Sequence, residues 1–168
     1  MNHMSIIGFQ FDDGGRAEAG LKGKTGDCVV RAIAIATGLD YTTLYKHLAP
    51  KTLARLGVNV QDDMPTYLKG VYHVDYEPLL KELGFTKTTS SEGYAHPTYT
   101  QAYQAFGNCL VLSHDSTHLS AIIDGELRDT FDHRFDQWDG ETTQRKTTTI
   151  FHKWGGGWQE GQVLTVNE

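Results

Sequence analysis

The strongest constraint on the fold is the segment from Gly26 to Gly38, which reads GDCVVRAIAIATG. A glycine and an aspartate lead into Cys28, and the helix behind it is apolar or small almost all round. A helix without a polar face belongs in the middle of a domain. We expect Gly38 to end it, because glycine readily adopts the left-handed conformation found after helix C-termini. Arg31 is the one charge inside, so it needs an internal partner or must reach the surface.

Cys28 is predicted at the N-terminus of this buried helix, with Asp27 capping the first free N–H groups. The helix dipole and the unpaired N–H groups favour a negative charge there, which lowers the pKa of a thiol and makes it a nucleophile. The alternative is a small buried core residue, which is what most cysteines are. The local sequence leaves both interpretations open.

Composition limits the classes of protein to which the chain can belong. Its 168 residues can bury a real core, and we interpret residues 1–168 as a single domain. The net charge of -6 argues against a nucleic-acid surface. No apolar run is long enough to cross a bilayer, and no signal peptide is recognised. Two cysteines without a spacing pattern do not make a disulfide framework. We therefore expect a cytoplasmic protein with neither nucleic-acid nor membrane partners.

The order of the predicted elements is typical of an α+β fold, with helices first and antiparallel strands second. Besides the central helix, helices are predicted at 41–48, 76–83 and 100–106. Strands are predicted at 6–11, 109–113, 118–123, 126–131, 147–151 and 163–166. Pro50 is expected to end the second helix and Asp75 to cap the third. We interpret 88–97 as a loop.

The loop before the central helix contains Gly23-Lys24-Thr25, which matches the end of the phosphate-binding loop motif. That motif needs a glycine five positions ahead of Gly23, and Glu18 occupies the place. We therefore predict no nucleotide cofactor. The loop is expected instead to line the approach to Cys28.

Asp124-Gly125 is the strongest hairpin signal in the chain. If these two residues form the turn, Ile123 faces Glu126, and the register can be counted back along both strands. His118 and Asp129 then share one face of the hairpin as diagonal neighbours, within reach of one another. A carboxylate beside a histidine fixes its tautomer and stabilises the imidazolium.

The chain thus presents a cysteine on a helix, a histidine on a strand and an aspartate on the next strand: Cys28, His118 and Asp129. This set can make a thiolate–imidazolium pair held by an acid. Each of these residues, considered alone, is better explained as an ordinary core or surface residue. Their occurrence together favours a catalytic role. Asp132 falls on the other face of the strand unless a bulge intervenes, and it stays the alternative acid.

A zinc site is the other interpretation of the histidines, because His114 and His118 lie four apart with His133 beyond. Residues 115–117 are predicted as a loop between strands, where a spacing of four brings no advantage. Neither cysteine is suitably spaced to join, so we predict no metal ion.

Three further residues receive structural interpretations. Cys109 opens a buried strand and is interpreted as core packing. Trp154 and Trp158 flank three glycines and are interpreted as partly buried loop residues rather than as a flexible lip over a cleft.

Two blocks of the sequence carry a resemblance to a known superfamily. The block Gly26-Asp27-Cys28-Val29-Val30-Arg31-Ala32, with His118-Leu119, Asp124-Gly125 and Asp129-Thr130 downstream, resembles a group of small phage and bacterial proteins of the papain superfamily. The order is also similar to that of bacteriocin-leader-processing peptidases and cell-wall-peptide hydrolases built on that fold. The helices between the blocks match only loosely.

This resemblance implies a papain-like α+β fold, in which a helix bearing the nucleophile packs against an antiparallel sheet bearing the base. It implies that Cys28 is the nucleophile, His118 the general base and acid, and Asp129 the orienting group. We therefore expect a thiol hydrolase that cleaves an amide or peptide bond of a protein or peptide substrate through a thioacyl-enzyme. An amine in place of water would make it a transamidase or crosslinking enzyme.

The chain departs from the papain pattern in one respect. Papain-type enzymes usually place a glutamine several residues before the cysteine to help form the oxyanion hole, and residues 22–25 occupy that stretch here. The backbone N–H of Cys28 is expected to be one donor, and the second is unassigned. Gln10, on the first predicted strand, is a residue that could reach in. The missing glutamine motivates an alternative, a catalytically inactive protein-binding module. A structural or assembly protein with Cys28 in its core is a third interpretation.

Overall fold

Four helices and nine strands occur in the residues that the structure, a computed structural model, describes: 5–21, 26–55, 57, 70–90, 96–153 and 164–167. The helices are α1 (Cys28–Thr37), α2 (Tyr41–Arg55), α3 (His73–Glu82) and α4 (Tyr99–Phe106). The strands are β1 (Gly8–Phe11), β2 (Thr86–Ser90), β3 (Cys109–Ser113), β4 (Leu119–Ile123), β5 (Glu126–Asp129), β6 (Phe135–Trp138), β7 (Glu141–Gln144), β8 (Thr147–His152) and β9 (Leu164–Asn167). Within these residues, no helix is both long and apolar enough to span a membrane.

The helices pack on a seven-stranded mixed sheet in the order β1-β5-β4-β3-β8-β2-β9, and β6 pairs with β7 in a separate hairpin. This arrangement confirms the predicted α+β class. The predicted C-terminal antiparallel sheet needs two corrections. β1 pairs with β5 in parallel, whereas the other neighbouring pairs are antiparallel. β2 lies inside the sheet, although we expected a loop to begin at residue 88; its threonines favour strands without giving an apolar pattern.

Both faces of the sheet are covered, because β3 and β4 carry apolar residues on both sides. Leu110 and Leu119 belong to one cluster with α1, α2 and α3. Val111 and Ile122 belong to a second cluster with α4. A strand whose successive side chains point to opposite faces can enter two cores at once. The central strands therefore hold both layers of helices in a fixed relation.

The central helix α1 is buried as predicted and packs chiefly against β4, with further contacts to α2, β3 and β5. Gly38 ends it with a positive φ of 75°, and its N–H donates to the Ala34 carbonyl at 2.9 Å. Arg31 has the internal partners that its position required, since its guanidinium contacts Asp27 and Asp129. The same residues connect the helix to β5.

Two helix boundaries differ from the predictions. α2 continues through Pro50, and Leu48 and Leu53 on either side of it are both buried, so packing outweighs the backbone hydrogen bond that proline removes. α3 begins before Asp75, which lies in its first turn rather than at its cap. The Asp75 carboxylate instead accepts from Arg55 at the end of α2, with Nη2 to Oδ1 at 2.6 Å.

Some predictions fall on residues that the structure does not describe. The interpretation of Trp154 and Trp158 lies outside the described residues, and so does the Gly23-Lys24-Thr25 segment. The strand expected at 163–166 corresponds to β9, which pairs with β2.

Candidate active site

The hairpin of β4 and β5 brings His118 and Asp129 together. Asp124-Gly125 forms its turn with positive φ values of 51° and 78°, and Ile123 pairs with Glu126 as predicted. The register is regular from this turn to the last residue pair, so the ends of the two strands are adjacent. His118 Nε2 lies 2.7 Å from Asp129 Oδ2.

The Asp129 carboxylate is buried, and one of its oxygens is the meeting point of three donors. Besides His118 Nε2, Oδ2 has His133 Nε2 at 2.9 Å and Ser120 Oγ at 3.0 Å. Burial acts to raise the pKa of this carboxyl. The hydrogen bonds from the two histidines and the Thr130 N–H nevertheless hold the pKa well below its usual range. Asp129 is therefore a carboxylate at any neutral pH.

The second oxygen of Asp129 connects it to the helix that carries the nucleophile. Oδ1 accepts from the Thr130 N–H at 2.7 Å, and Arg31 Nη2 approaches it at 3.4 Å. Arg31 is itself buried, and its Nη1 contacts Asp27 Oδ1. One guanidinium thus joins the residue before Cys28 to the acid that holds His118.

The His118 ring and the backbone N–H of Leu119 lie beside the Cys28 thiol. Since His118 Nε2 is bound to Asp129, Nδ1 is the ring nitrogen left for the thiol. Burial acts to raise the pKa of Cys28. The His118 ring, the Leu119 N–H and the charge of Arg31 outweigh burial, so the pKa of the thiol is lowered.

His118 is shifted in the complementary direction. Burial acts to lower its pKa, but the hydrogen bonds and charges of Asp129 and Cys28 raise the pKa of His118 to about 9. A thiol with a lowered pKa beside an imidazole with a raised pKa favours transfer of the proton from sulfur to nitrogen. The site therefore favours a thiolate–imidazolium pair at neutral pH.

Cys28 opens into a cleft of about 480 Å³. Thr117 and Leu119, on either side of His118 in the sequence, line this cleft together with residues of α3 such as Tyr76. A larger cavity of about 800 Å³ lies beyond the ion pair of Glu77 and Lys87, and Cys28 does not line it. Of these two cavities, the smaller cleft is therefore the one through which a substrate carbonyl can reach the sulfur.

Asp27 is at the N-cap position of α1, but it does not cap the helix as we predicted. It is fully buried and makes no side-chain hydrogen bond to the first turn. Its carboxylate binds Arg31, accepts from the Tyr41 hydroxyl at 2.6 Å and lies 3.4 Å from Arg16 Nε. Arg31 belongs to α1 itself, whereas Tyr41 and Arg16 lie outside it, so Asp27 fixes the start of α1 partly by tertiary contacts.

The structure also separates the sequence alternatives around the site. Asp132 is exposed, and both of its oxygens are bound by Arg134, so Asp129 rather than Asp132 faces His118. Gln10 does not reach Cys28 as the second oxyanion donor. It is exposed on β1, and its amide contacts the Phe11 carbonyl at 3.4 Å.

One group of residues has the composition of a metal site. Ligand atoms of His118, Asp129 and His133 all lie within 4.8 Å of one another, whereas His114, which spacing had suggested, is exposed and outside the group. These atoms already bond one another, and Ser120 donates to the same carboxylate oxygen. A cation would have to displace these bonds beside the positive charge of Arg31.

Sequence reasoning found Cys28, His118 and Asp129 but missed two groups in contact with them. Leu119 acts through its backbone N–H, which carries no signal in a sequence. His133 had been considered only as a zinc ligand, because it lies in the irregular segment after β5 where no periodicity assigns a face.

No known protein family, curated protein or solved structure matches this chain. The papain-like fold therefore stays a prediction, and the chemistry of the site has to be interpreted from its own geometry.

Proposed function

We propose that the protein is a thiol-dependent hydrolase with a papain-like fold, a cysteine peptidase or amidase that cleaves an amide bond of a protein or peptide. The observation that carries the proposal is the continuous chain of contacts from the Cys28 thiol through His118 to the buried carboxylate of Asp129. In this proposal Cys28 is the nucleophile, His118 the general base and acid, and Asp129 the group that orients and stabilises the imidazolium.

The first half of the reaction forms a thioacyl-enzyme. His118 Nδ1 holds the proton that has left Cys28, and the thiolate attacks the carbonyl carbon of the substrate. The carbonyl oxygen becomes an oxyanion, for which the backbone N–H of Cys28 at the start of α1 is the nearest donor by position. The carbon–nitrogen bond breaks, and His118 gives its proton to the departing amine.

The second half releases the acyl group. His118, now neutral, takes a proton from a water molecule, and the resulting hydroxide attacks the thioester carbon. The carbon–sulfur bond breaks, the carboxylic acid leaves, and the thiolate of Cys28 is restored beside the imidazolium. If an amine takes the place of water, the product is a new amide, and the protein is a transamidase.

The proposal is tested by the pH dependence of alkylation with iodoacetamide, followed by mass spectrometry of Cys28. We expect the rate to inflect well below the free-thiol pKa of about 8.5. His118→Ala should slow alkylation near pH 6 on the order of 100-fold, because the thiol returns towards its ordinary pKa. Addition of EDTA should leave the wild-type rate unchanged, whereas a loss would indicate a metal ion at His118, Asp129 and His133.

Slow alkylation that does not respond to His118→Ala would falsify the proposal. His47→Ala is the matched control, since His47 is exposed on α2 and contacts Lys51. This variant should keep the wild-type rate and inflection.

A catalytically inactive binding module is the second candidate, and the position of Gln10 favours it, because this residue, which could have supplied an oxyanion donor, contacts the Phe11 carbonyl instead. p-Nitrophenyl acetate separates the two candidates. An enzyme gives a burst of p-nitrophenol, an acetylated Cys28 and then slow turnover, whereas a binding module acylates no faster than a free cysteine.

A further inference from the structure

The second histidine at the site, His133, has no part in the reaction described above, although it contacts the same carboxylate oxygen as His118. We propose that His133 is a positioning residue, a neutral histidine whose Nε2–H bond to Asp129 Oδ2 limits how firmly Asp129 holds the His118 proton. This inference rests on the proposed function, since it concerns the base of that reaction.

The tautomer of His133 follows from its neighbours. Arg145 Nη1 lies 3.5 Å and the Tyr99 hydroxyl 3.3 Å from His133 Nδ1. A guanidinium can only donate, so Nδ1 must accept, and the proton of a neutral ring must be on Nε2. That nitrogen lies 2.9 Å from Asp129 Oδ2, which accepts from it.

His133 is also kept from becoming a second imidazolium. Its ring is 4% exposed, and Arg145 and His118 present positive charge to it from two sides. Burial and these charges lower the pKa of His133, although Asp129 acts in the opposite direction. At neutral pH one imidazolium and one carboxylate therefore remain in the cluster, with His133 and Ser120 as neutral donors.

The effect on His118 follows from the charge on one oxygen. Each hydrogen bond that Oδ2 accepts from a neutral donor lowers its affinity for a further proton. Without His133, Oδ2 would bind His118 Nε2–H more strongly, and the pKa of His118 would rise. A base that holds its proton too firmly is a poor acid for the leaving amine, so His133 keeps His118 able to act in both directions.

The test compares two amide variants that differ in reach. The Nε2 of glutamine in His133→Gln lies where the histidine Nε2 does and can still donate to Asp129, whereas the shorter amide of His133→Asn cannot. Both are made in the Cys28→Ala protein, and the pKa of His118 is measured from the NMR titration of its ring signals. We expect His133→Asn to raise this pKa by about one unit and His133→Gln to leave it nearly unchanged.

An unchanged or lowered His118 pKa in His133→Asn, or an equal rise in both variants, overturns the inference. A loss of packing alone would loosen Asp129 and lower the pKa of His118. The sign of the change in the His118 pKa therefore distinguishes the proposed hydrogen-bonding role of His133 from a purely structural one. The pKa of His118 is measured in a protein that lacks Cys28. An unreactive Cys28 thiol in the wild-type protein would therefore overturn the proposed function without changing this pKa.

A second measurement needs no substitution at His133 and stands if the variants do not fold. The ¹⁵N signals of the His133 ring in the wild-type protein should report a neutral Nε2–H tautomer at neutral pH. A His133 that is protonated on both nitrogens at neutral pH, or that carries its proton on Nδ1, contradicts the inference.

Discussion

The two cysteines occupy similar places in secondary structure but opposite chemical environments. Cys28 is the first residue of α1 and Cys109 the first residue of β3. Burial raises the pKa of Cys109 to about 12. At Cys28 burial acts in the same direction, but a histidine, a backbone N–H and an arginine reverse it. The difference teaches that burial makes a thiol inert unless charged or hydrogen-bonding groups face the sulfur.

The largest expected effect comes from removing each cysteine in turn. Cys28→Ala should abolish acyl transfer to the protein, because no other thiol faces His118 among the described residues. Cys109→Ala should keep the activity but cost roughly 1 kcal/mol of unfolding free energy, since it removes packed atoms from the core. The p-nitrophenol burst and urea unfolding measure the two effects. A burst that survives Cys28→Ala would break the comparison.

Removing the acid should make Cys28 more like an ordinary thiol. In Asp129→Asn the carboxylate charge is lost, so the pKa of His118 falls and that of Cys28 rises. Iodoacetamide alkylation of Cys28 near pH 6 should slow between about 10-fold and 100-fold. Asp132→Asn is the matched control, because Asp132 is exposed and bound by Arg134. Equal slowing of alkylation in both variants would show that the effect is not specific to Asp129.

The same pair of variants has a pH signature in stability. The pKa of Asp129 is lowered in the folded protein, so its contribution is present above the unfolded value of about 3.9 and is lost as the pH falls below it. The difference in unfolding free energy between wild type and Asp129→Asn should therefore shrink as the pH falls below about 3.9. A difference that grows in acid would contradict the direction of this shift.

A smaller effect on reactivity is expected from Arg31, whose charge lowers the pKa of Cys28 less than His118 does. Arg31→Met should slow alkylation near pH 6 roughly threefold and lower the unfolding free energy by about 3–5 kcal/mol, because two buried carboxylates lose their partner. Arg55→Met removes the ion pair of a half-exposed arginine with the buried Asp75, between α2 and α3, and should leave alkylation unchanged. If Arg55→Met slows alkylation as much, the effect of Arg31 is a general loss of stability.

The smallest effect is expected in the turn before His118. Asp115 accepts from Ser113 and Thr117, and these hydrogen bonds lower the pKa of Asp115 to about 2. Asp115→Asn should cost less than about 0.5 kcal/mol at neutral pH, because the carboxylate is exposed. The cost should vanish as the pH falls from about 4 to about 2, where the wild-type carboxylate is protonated. Thermal unfolding across that range measures it.

The parts of the site that the sequence predicted are those set by local rules. The Asp124-Gly125 turn and the two-residue period of a strand determine which side chains of the hairpin share a face, and these placed Asp129 beside His118. The contact with Cys28 depends on packing between helix and sheet, and its prediction came from the combination of residue types and from the resemblance. Whether those residues catalyse a reaction stays a prediction.

The parts that were missed depend on partners far apart in the chain. Asp27 was expected to cap a helix because its local position favours capping. Its carboxylate instead binds Tyr41 and Arg31. His133 follows the last residue of β5 in a segment without periodicity, so nothing assigned it a face. β2 lacks aliphatic residues, and its place in the sheet comes from pairing on both sides.

Arg31 bridges Asp27 and Asp129, and its contact with Asp129 joins the helix to a strand 98 residues further along the chain. The thiol can become strongly nucleophilic only after α1 has docked, because His118 and the Leu119 N–H, which lower its pKa, lie at the start of β4. In a newly made or partly unfolded chain the Cys28 thiol would therefore be unreactive. The rate at which Cys28 reacts in mildly acidic solution thus measures the fraction of molecules that have completed their tertiary structure.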